Sequence, residues 1–451
     1  MLRRRQEDDV IPNLWTSVLK CRHNHQDGPL ALKHSDLIYD WNNVPGAAFK
    51  PAGRVMLTDE SLRDGLQSPS VKDPTIEEKL RILHLMEKLG INHLDMGLPG
   101  AGKRSYADVE RLAREIRDAK LKIRGNCAAR THESDIRPVA EIQDKVGIPI
   151  EAATFIGSSP IRRYVEDWSD DFLLKTTESA VKFARSLGLE VMYVTEDTTR
   201  CDPETVKRLY KTAIECGARA IVICDTCGHV TPAGVTALIR FVVDEIVKPS
   251  GEQIRVDWHG HCDRGLAVAN SLAALAAGAD CVHACAIGIG ERVGNTQMDQ
   301  MLVNLKLMDV APWEDQDLTS LKEYCETVSR STGVPIPKNY PVLGDDAFRT
   351  ATGVHAAAVI KAFRKKDIEL ANTVYSGVPS HYFGMEQIIE IGPMSGKSNV
   401  VFWLERKGLP ADEVTVDRIF QKAKQSHRTL LDHEIMECIA RDSRPTIASA
   451  D

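Results

Sequence analysis

From about residue 54 onward, short runs rich in apolar and β-branched residues alternate with longer stretches whose apolar positions recur every three to four residues. The short runs are 54–58, 93–97, 122–129, 148–156, 190–196, 219–225, 254–259 and 281–287. The helical patterns are 75–89, 104–119, 134–146, 169–187, 203–216, 232–247, 265–277 and 295–308. Leu80, Leu83, Met86 and Leu89 show the spacing of one buried helix face, and Gly90, Gly147, Gly188, Gly217 and Gly278 stand where such helices should stop. Strands alternating with helices predict a parallel sheet. Eight such units in about 255 residues match the size of a closed (β/α)8 TIM barrel. The competing open, doubly wound sheet usually has fewer units and a glycine-rich turn after its first strand. Here that turn reads Asp59-Glu60-Ser61-Leu62-Arg63-Asp64-Gly65, charged and with one glycine, which favours the barrel.

Outside this rhythm the chain divides into an N-terminal arm (1–50), the barrel (51–325), a helical piece (326–375) entered through Pro335, Pro337 and Pro341, and a second C-terminal piece with a tail (376–451). The second piece reads as a short strand at 386–391, a loop and further helices. A net charge of −7 argues against a protein living on nucleic-acid phosphates or an anionic membrane. Arg3-Arg4-Arg5 is followed by Gln6-Glu7-Asp8-Asp9 rather than an apolar segment, so export is not expected. No stretch approaches the roughly 18 apolar residues of a membrane span. The 11 cysteines sit mostly in apolar runs, the usage of buried reduced thiols in a cytoplasmic protein.

In a barrel the chemistry belongs at the C-terminal ends of the strands. The seventh run ends His259-Gly260-His261, which points two imidazoles the same way: either a surface pair or half of a metal site. After the first run, Asp64 can offer a carboxylate and Arg63 can meet a substrate carboxylate or an oxyanion, unless the two are simply a surface pair. Asn295, after a loop with Gly288, Gly290 and Gly294, reads as a helix N-cap or as a neutral oxygen ligand. Asp, two His and Asn together suit a divalent ion such as Mg, Mn or Zn with open positions. Three other motifs carry less. Cys224-x-x-Cys227 has no second pair, Cys21-x-His23-x-His25 has no partner set, and Gly392-Pro-Met-Ser-Gly-Lys-Ser398 has one residue too few between its glycines to wrap a phosphate.

Over about 400 residues the chain resembles the acyl-CoA-condensing branch of the DRE-TIM metallolyases, the 2-isopropylmalate, homocitrate and citramalate synthases. The matching motifs are Leu62-Arg63-Asp64-Gly65-x-Gln67, His259-x-His261-x-Asp263-x-Gly265-x-Ala267-x-Ala269-Asn270, and Gly288-x-Gly290-Glu291-Arg292-x-Gly294-Asn295. The resemblance implies Asp64, His259, His261 and Asn295 as ligands of one divalent metal, Arg63 as substrate and oxyanion contact, Gln67 and Thr226 as substrate contacts, and Glu196 as a catalytic glutamate. Gly353-Val354-His355 resembles the family's Gly-Ile-His, and the resemblance implies that His355 is the acid/base candidate, reaching the site of the other subunit of a homodimer. The implied reaction is metal-dependent Claisen condensation of acetyl-CoA with a 2-oxo acid, followed by thioester hydrolysis. Read without the resemblance, His355 is a packed histidine at a helix start.

The chain departs from the family pattern at Leu66, where many members carry Glu, at Asp95-Met96-Gly97 and at Pro160-Ile161-Arg162. Leu66 points to an apolar substrate side chain; Arg130 either receives a second carboxylate, which would favour 2-oxoglutarate and homocitrate chemistry, or is structural. A benzylmalate product from an aryl pyruvate also stays open. Nothing after the second C-terminal piece corresponds to the family's regulatory domain, so leucine feedback through one is not expected. Arg63-Asp64-Gly65-Leu66-Gln67 also resembles hydroxymethylglutaryl-CoA lyase, but Glu291-Arg292 stands where that enzyme needs a cysteine. A non-catalytic, metal-stabilised barrel is the alternative of a different class.

Overall fold

The computed structural model describes residues 37–440. The arm's Cys21, His23 and His25 and the tail 446–451 lie outside the described residues. The chain separates into two compact units, 1–47 and 48–451. The described part of the first holds a short 3-10 turn, Trp41–Asn43, capped by the Asp40 side chain.

In the second unit eight parallel strands close into a barrel in sequence order: β1 (Met56–Asp59), β2 (His93–Asp95), β3 (Arg124–Arg130), β4 (Glu151–Gly157), β5 (Glu190–Glu196), β6 (Ala220–Asp225), β7 (Arg255–Gly260) and β8 (Cys281–Ala284). Closure is the pairing of β1 with β8, Met56 opposite Cys281 and Asp59 opposite Ala284. Alternation sorts the side chains. On β6, Ile221 and Ile223 join the large cluster formed with the outer helices, whereas Ala220, Val222 and Cys224 join Ala153 and Met192 in a second, smaller one.

The expected helices form with local reasons. Thr75 caps Ile76–Lys88 through a capping box with Glu78, and Gly147 ends Glu133–Val146 in the left-handed conformation, φ 77°. The eighth run is shorter than its apolar pattern. It stops at Ala284, and Ala286–Gly288 turn in a 3-10 segment that leads into the glycine loop. After β4 an added helix, Pro160–Glu166, precedes Asp170–Ser186.

The helix Leu321–Thr332 runs across residue 325 and docks on the barrel. Its Tyr324 hydroxyl donates to buried Asp59 and meets Ser61 at 3.3 Å. Beyond it, β9 (Arg349–Thr350) pairs in parallel with β10 (Ile388–Ile389). Ala356, Val359, Ile360, Ile389 and Phe402 share one cluster, so the two C-terminal pieces are knitted together. The glycine-rich turn at 392–398 packs against the start of the helix Gly353–Arg364. A Cβ on Gly353 would lie 2.7 Å from the Gly396 nitrogen, and Lys397 is ion-paired with Asp417. Among the described residues no helix is long and apolar enough to cross a membrane.

Candidate active site

Three strand ends bring Asp64, His259, His261 and Asn295 together at the barrel mouth. Asp64 opens the 3-10 turn Asp64–Gln67 after β1, His259 ends the inward-facing row of β7, and His261 bridges to Asn295 as an isolated β-pair. Asp64 Oδ2 lies 3.9 Å from His259 Nε2 and 3.7 Å from His261 Nε2, and accepts a 2.8 Å hydrogen bond from Asn295 Nδ2. Ligand-capable atoms of Asp64, His259 and His261 all fall within 4.8 Å of one another, and all three residues are buried. Asn295 Oδ1 and His261 Nδ1 are buried without a hydrogen-bond partner among the described residues. An orphaned amide oxygen beside two imidazoles and a carboxylate is a donor set that fits a divalent cation. The electrostatics agree. Burial and the neighbouring His259 push His261 down to about 4, so the ring is neutral and its lone pair available at pH 7. Burial works against the Asp64 carboxylate, but Arg63 and His259 outweigh it and hold Asp64 below its ordinary value.

Arg63 is clamped by three acids: Nε to Asp95 at 2.7 Å, one terminal nitrogen to Asp64 at 2.9 Å and the other to Glu60 at 3.2 Å. Glu60, which the motifs did not single out, also accepts from His259 Nδ1 at 2.8 Å and His283 Nδ1 at 3.0 Å. Burial alone would raise Glu60; His259, His283 and Arg63 hold it well below the carboxylate range. The available signal for Glu60 is its place in the same charged turn as Arg63 and Asp64. Nothing local signals His283, 223 residues further on.

Glu196 closes β5, and burial pushes its carboxyl up against the pull of Arg162 and Arg63. It lines a cleft of about 1030 Å³ with Arg162, Trp168 and Lys175. Thr226, after β6, accepts the Asp197 backbone N–H at 2.8 Å and lines a neighbouring recess with Glu196. Gln67 is exposed on the rim of another cleft, about 540 Å³, whose wall includes Arg63, Leu62, Leu66, Met96 and Leu98. Arg130 is not free: Asp135 takes it in a bidentate pair at 2.6 and 2.9 Å. Cys224 is buried in β6, Cys227 contacts Arg200, and burial raises both thiols. His355 is placed elsewhere. It is exposed in the first turn of Gly353–Arg364, stacked on Tyr375 with centroids 4.2 Å apart, rather than beside Glu196.

The HMGL-like family profile matches residues 54–328, from the run that opens the barrel to the helix after it. The chain belongs to the HMGL-like family. This HMGL-like protein is 32% identical over 372 residues to homocitrate synthase AksA of Methanopyrus kandleri, covering 82% of the present chain and 87% of that one. It is 32% identical over 382 residues to 2-isopropylmalate synthase of Pyrococcus abyssi, covering 82% and 74%. The fold is that of the HMG-CoA lyase of Bacillus subtilis, with a TM-score of 0.53 at 20% identity, covering 64% of this chain and 96% of that structure.

Proposed function

We propose that the protein catalyses a metal-dependent Claisen condensation of acetyl-CoA with a 2-oxo acid, with hydrolysis of the thioester, giving a 2-alkylmalate-type product and free CoA. The observation that carries this reading is the convergence of Asp64, His259, His261 and the unpartnered Asn295 Oδ1 beside a clamped arginine. A divalent ion held by those four residues would polarise the ketone of a chelated 2-oxo acid. Arg63, fixed by Asp95, Asp64 and Glu60, presents a preorganised cation to the oxygen that gains negative charge when the carbon–carbon bond forms. Glu196, with its carboxyl raised by burial, is placed to move a proton at the edge of the large cleft.

The second acid/base group in this reading is the partner subunit's His355, which reaches across a homodimer. Within its own chain the residue is exposed on the C-terminal piece, as a group offered outward would be. Acid/base catalysis of this kind contributes a factor of about 10²–10⁴, or roughly 3–5 kcal/mol of barrier.

An apolar 2-oxo acid, the 2-isopropylmalate synthase type, suits the cleft beside Arg63 better than 2-oxoglutarate. Its lining includes Leu62, Leu66, Met96 and Leu98, and of the cations beside them Lys79 is bonded to Asp73 and Asp108 at 2.8 Å each and Arg104 to Asp73 at 2.9 Å, while Lys103 stands exposed. The engagement of Arg130 with Asp135 removes another receptor for a distal carboxylate. The test is thiol release from acetyl-CoA with 2-oxoisovalerate, 2-oxoglutarate, pyruvate, phenylpyruvate and oxaloacetate, with Mn²⁺, Mg²⁺ or Zn²⁺ and with chelator. Release with 2-oxoisovalerate that chelator abolishes is the expected result. Silence across the panel in folded, metal-loaded protein overturns the condensation reading.

A further inference from the structure

Beneath the candidate metal centre the barrel interior carries a column of charged side chains. Arg255 Nε donates to both Asp257 oxygens at 2.9 and 3.0 Å and its terminal nitrogen to Glu151 at 2.8 Å. Asp257 Oδ2 meets His283 Nε2 at 3.2 Å, His283 Nδ1 meets Glu60 Oε1 at 3.0 Å, and Glu60 Oε2 meets His259 Nδ1 at 2.8 Å. Every member from Asp257 to His259 is buried. TIM-barrel interiors are ordinarily packed with branched apolar residues, and replacing buried ion pairs by apolar groups is often neutral or stabilising. Stability alone is therefore a weak account of such a column.

We propose that Glu60 is a positioning residue for the metal centre, fixing the ring orientation and tautomer of His259, and that His283 holds Glu60 in that role. The inference rests on the metal reading above and deepens it. Glu60 is an acceptor on both oxygens, since His283 and Arg63 share Oε1 while His259 has Oε2 to itself. An ionised carboxylate at His259 Nδ1 requires the proton to be on Nδ1 and leaves the Nε2 lone pair facing Asp64. Such a carboxylate also raises the basicity of the imidazole as a ligand. The second imidazole has no equivalent support, because His261 Nδ1 lacks a partner among the described residues. Glu60 thus governs one of the two histidines through a bond that is already made.

The test is the Mn²⁺ dissociation constant by titration calorimetry on the full chain stripped with chelator, with neither acetyl-CoA nor 2-oxo acid present. Glu60→Gln keeps the shape and one acceptor but removes the charge; Glu60→Ala removes the acceptor as well. Each should weaken Mn²⁺ binding, across a range of about 10–100-fold with Ala the more severe. His283→Gln should weaken it in the same direction by less. A structural role alone predicts a lower melting temperature of the metal-free protein with an unchanged constant for its folded fraction. Parental Mn²⁺ affinity in folded Glu60→Gln or Glu60→Ala overturns the proposal. If neither accumulates folded, parental affinity in His283→Gln overturns it. A parent chain that takes up no Mn²⁺ instead overturns the metal reading beneath it, so the two failures are distinct.

Discussion

Arg63 Nε donates to Asp95 Oδ2 at 2.7 Å, tying the turn after β1 to the end of β2. Asp95 is buried, and burial raises its pKa to about 6 even with the guanidinium beside it. The pair aims the remaining guanidinium nitrogens at Asp64 and Glu60. A lysine at this position offers a point charge and no fork, so it cannot serve three carboxylates in this geometry. Arg63→Lys should lower kcat for thiol release by about 10²–10³, the cost of removing one oxyanion donor. A loss smaller than tenfold in folded protein would exclude Arg63 from that role.

His283 gives the fold a pH signature. Burial alone would push its pKa down, but Glu60 and Asp257 outweigh burial and raise it to about 10. The folded state therefore holds this proton more tightly than the unfolded chain, whose histidine titrates near 6.5. The resulting stability is fully present below about 6.5 and is lost as pH rises toward about 10. Asp59 and Asp95, raised to about 6, complete their titration before this window, and His261, lowered to about 4, acts below it. Chemical denaturation of the metal-free protein should show stability falling between pH 7 and 8.5, below the range where buried thiols such as Cys224, Cys281 and Cys285, raised by burial, act with the same sign, and the slope should be flattened in His283→Gln. A parental slope in the variant would assign the loss to other groups.

The barrel is legible in the sequence because each strand and helix carries its own period. The shortened β8 is not, because Ala286 and Ile287 are as apolar as the strand before them. Their turn is set by contacts from afar, including the Ile287 amide donating to Asp299. The mouth residues are readable from their position at strand ends, and the structure gathers Asp64, His259, His261 and Asn295. Glu60 was hidden for a physical reason: a glutamate in a charged turn looks solvated until its partners on β7 and β8 arrive around it. Arg130 shows the opposite case. Its charge looks available until Asp135, five residues on, is seen to occupy it.

Gly294 is the tightest point of the loop that carries Asn295. Its φ is +96°, and a Cβ there would lie 1.8 Å from the Gly288 carbonyl oxygen, which accepts the Asn295 backbone N–H at 3.0 Å. Gly294→Ala must displace that backbone, so Asn295 leaves Asp64. Strain of this type costs of order 1–3 kcal/mol. The variant should melt at a lower temperature and bind Mn²⁺ more weakly than the parent. Parental behaviour in both measurements would show that the loop relaxes without moving the amide.

The placement of His355 away from Glu196 leads to a test of shared sites. If each site takes Asp64 from one chain and His355 from the other, a dimer of Asp64→Ala with His355→Ala holds one doubly defective site and one intact site. Equal amounts of the two variants, unfolded and refolded together, give heterodimers as half of the population. One site in two is then whole, so about a quarter of parental activity should return from two nearly inactive proteins. Differently tagged chains allow the heterodimer to be purified, where the expected recovery is about half. Purified heterodimer with no recovery would place His355 outside the catalytic site of its partner, and with it would fall the reading of His355 as the second acid/base group.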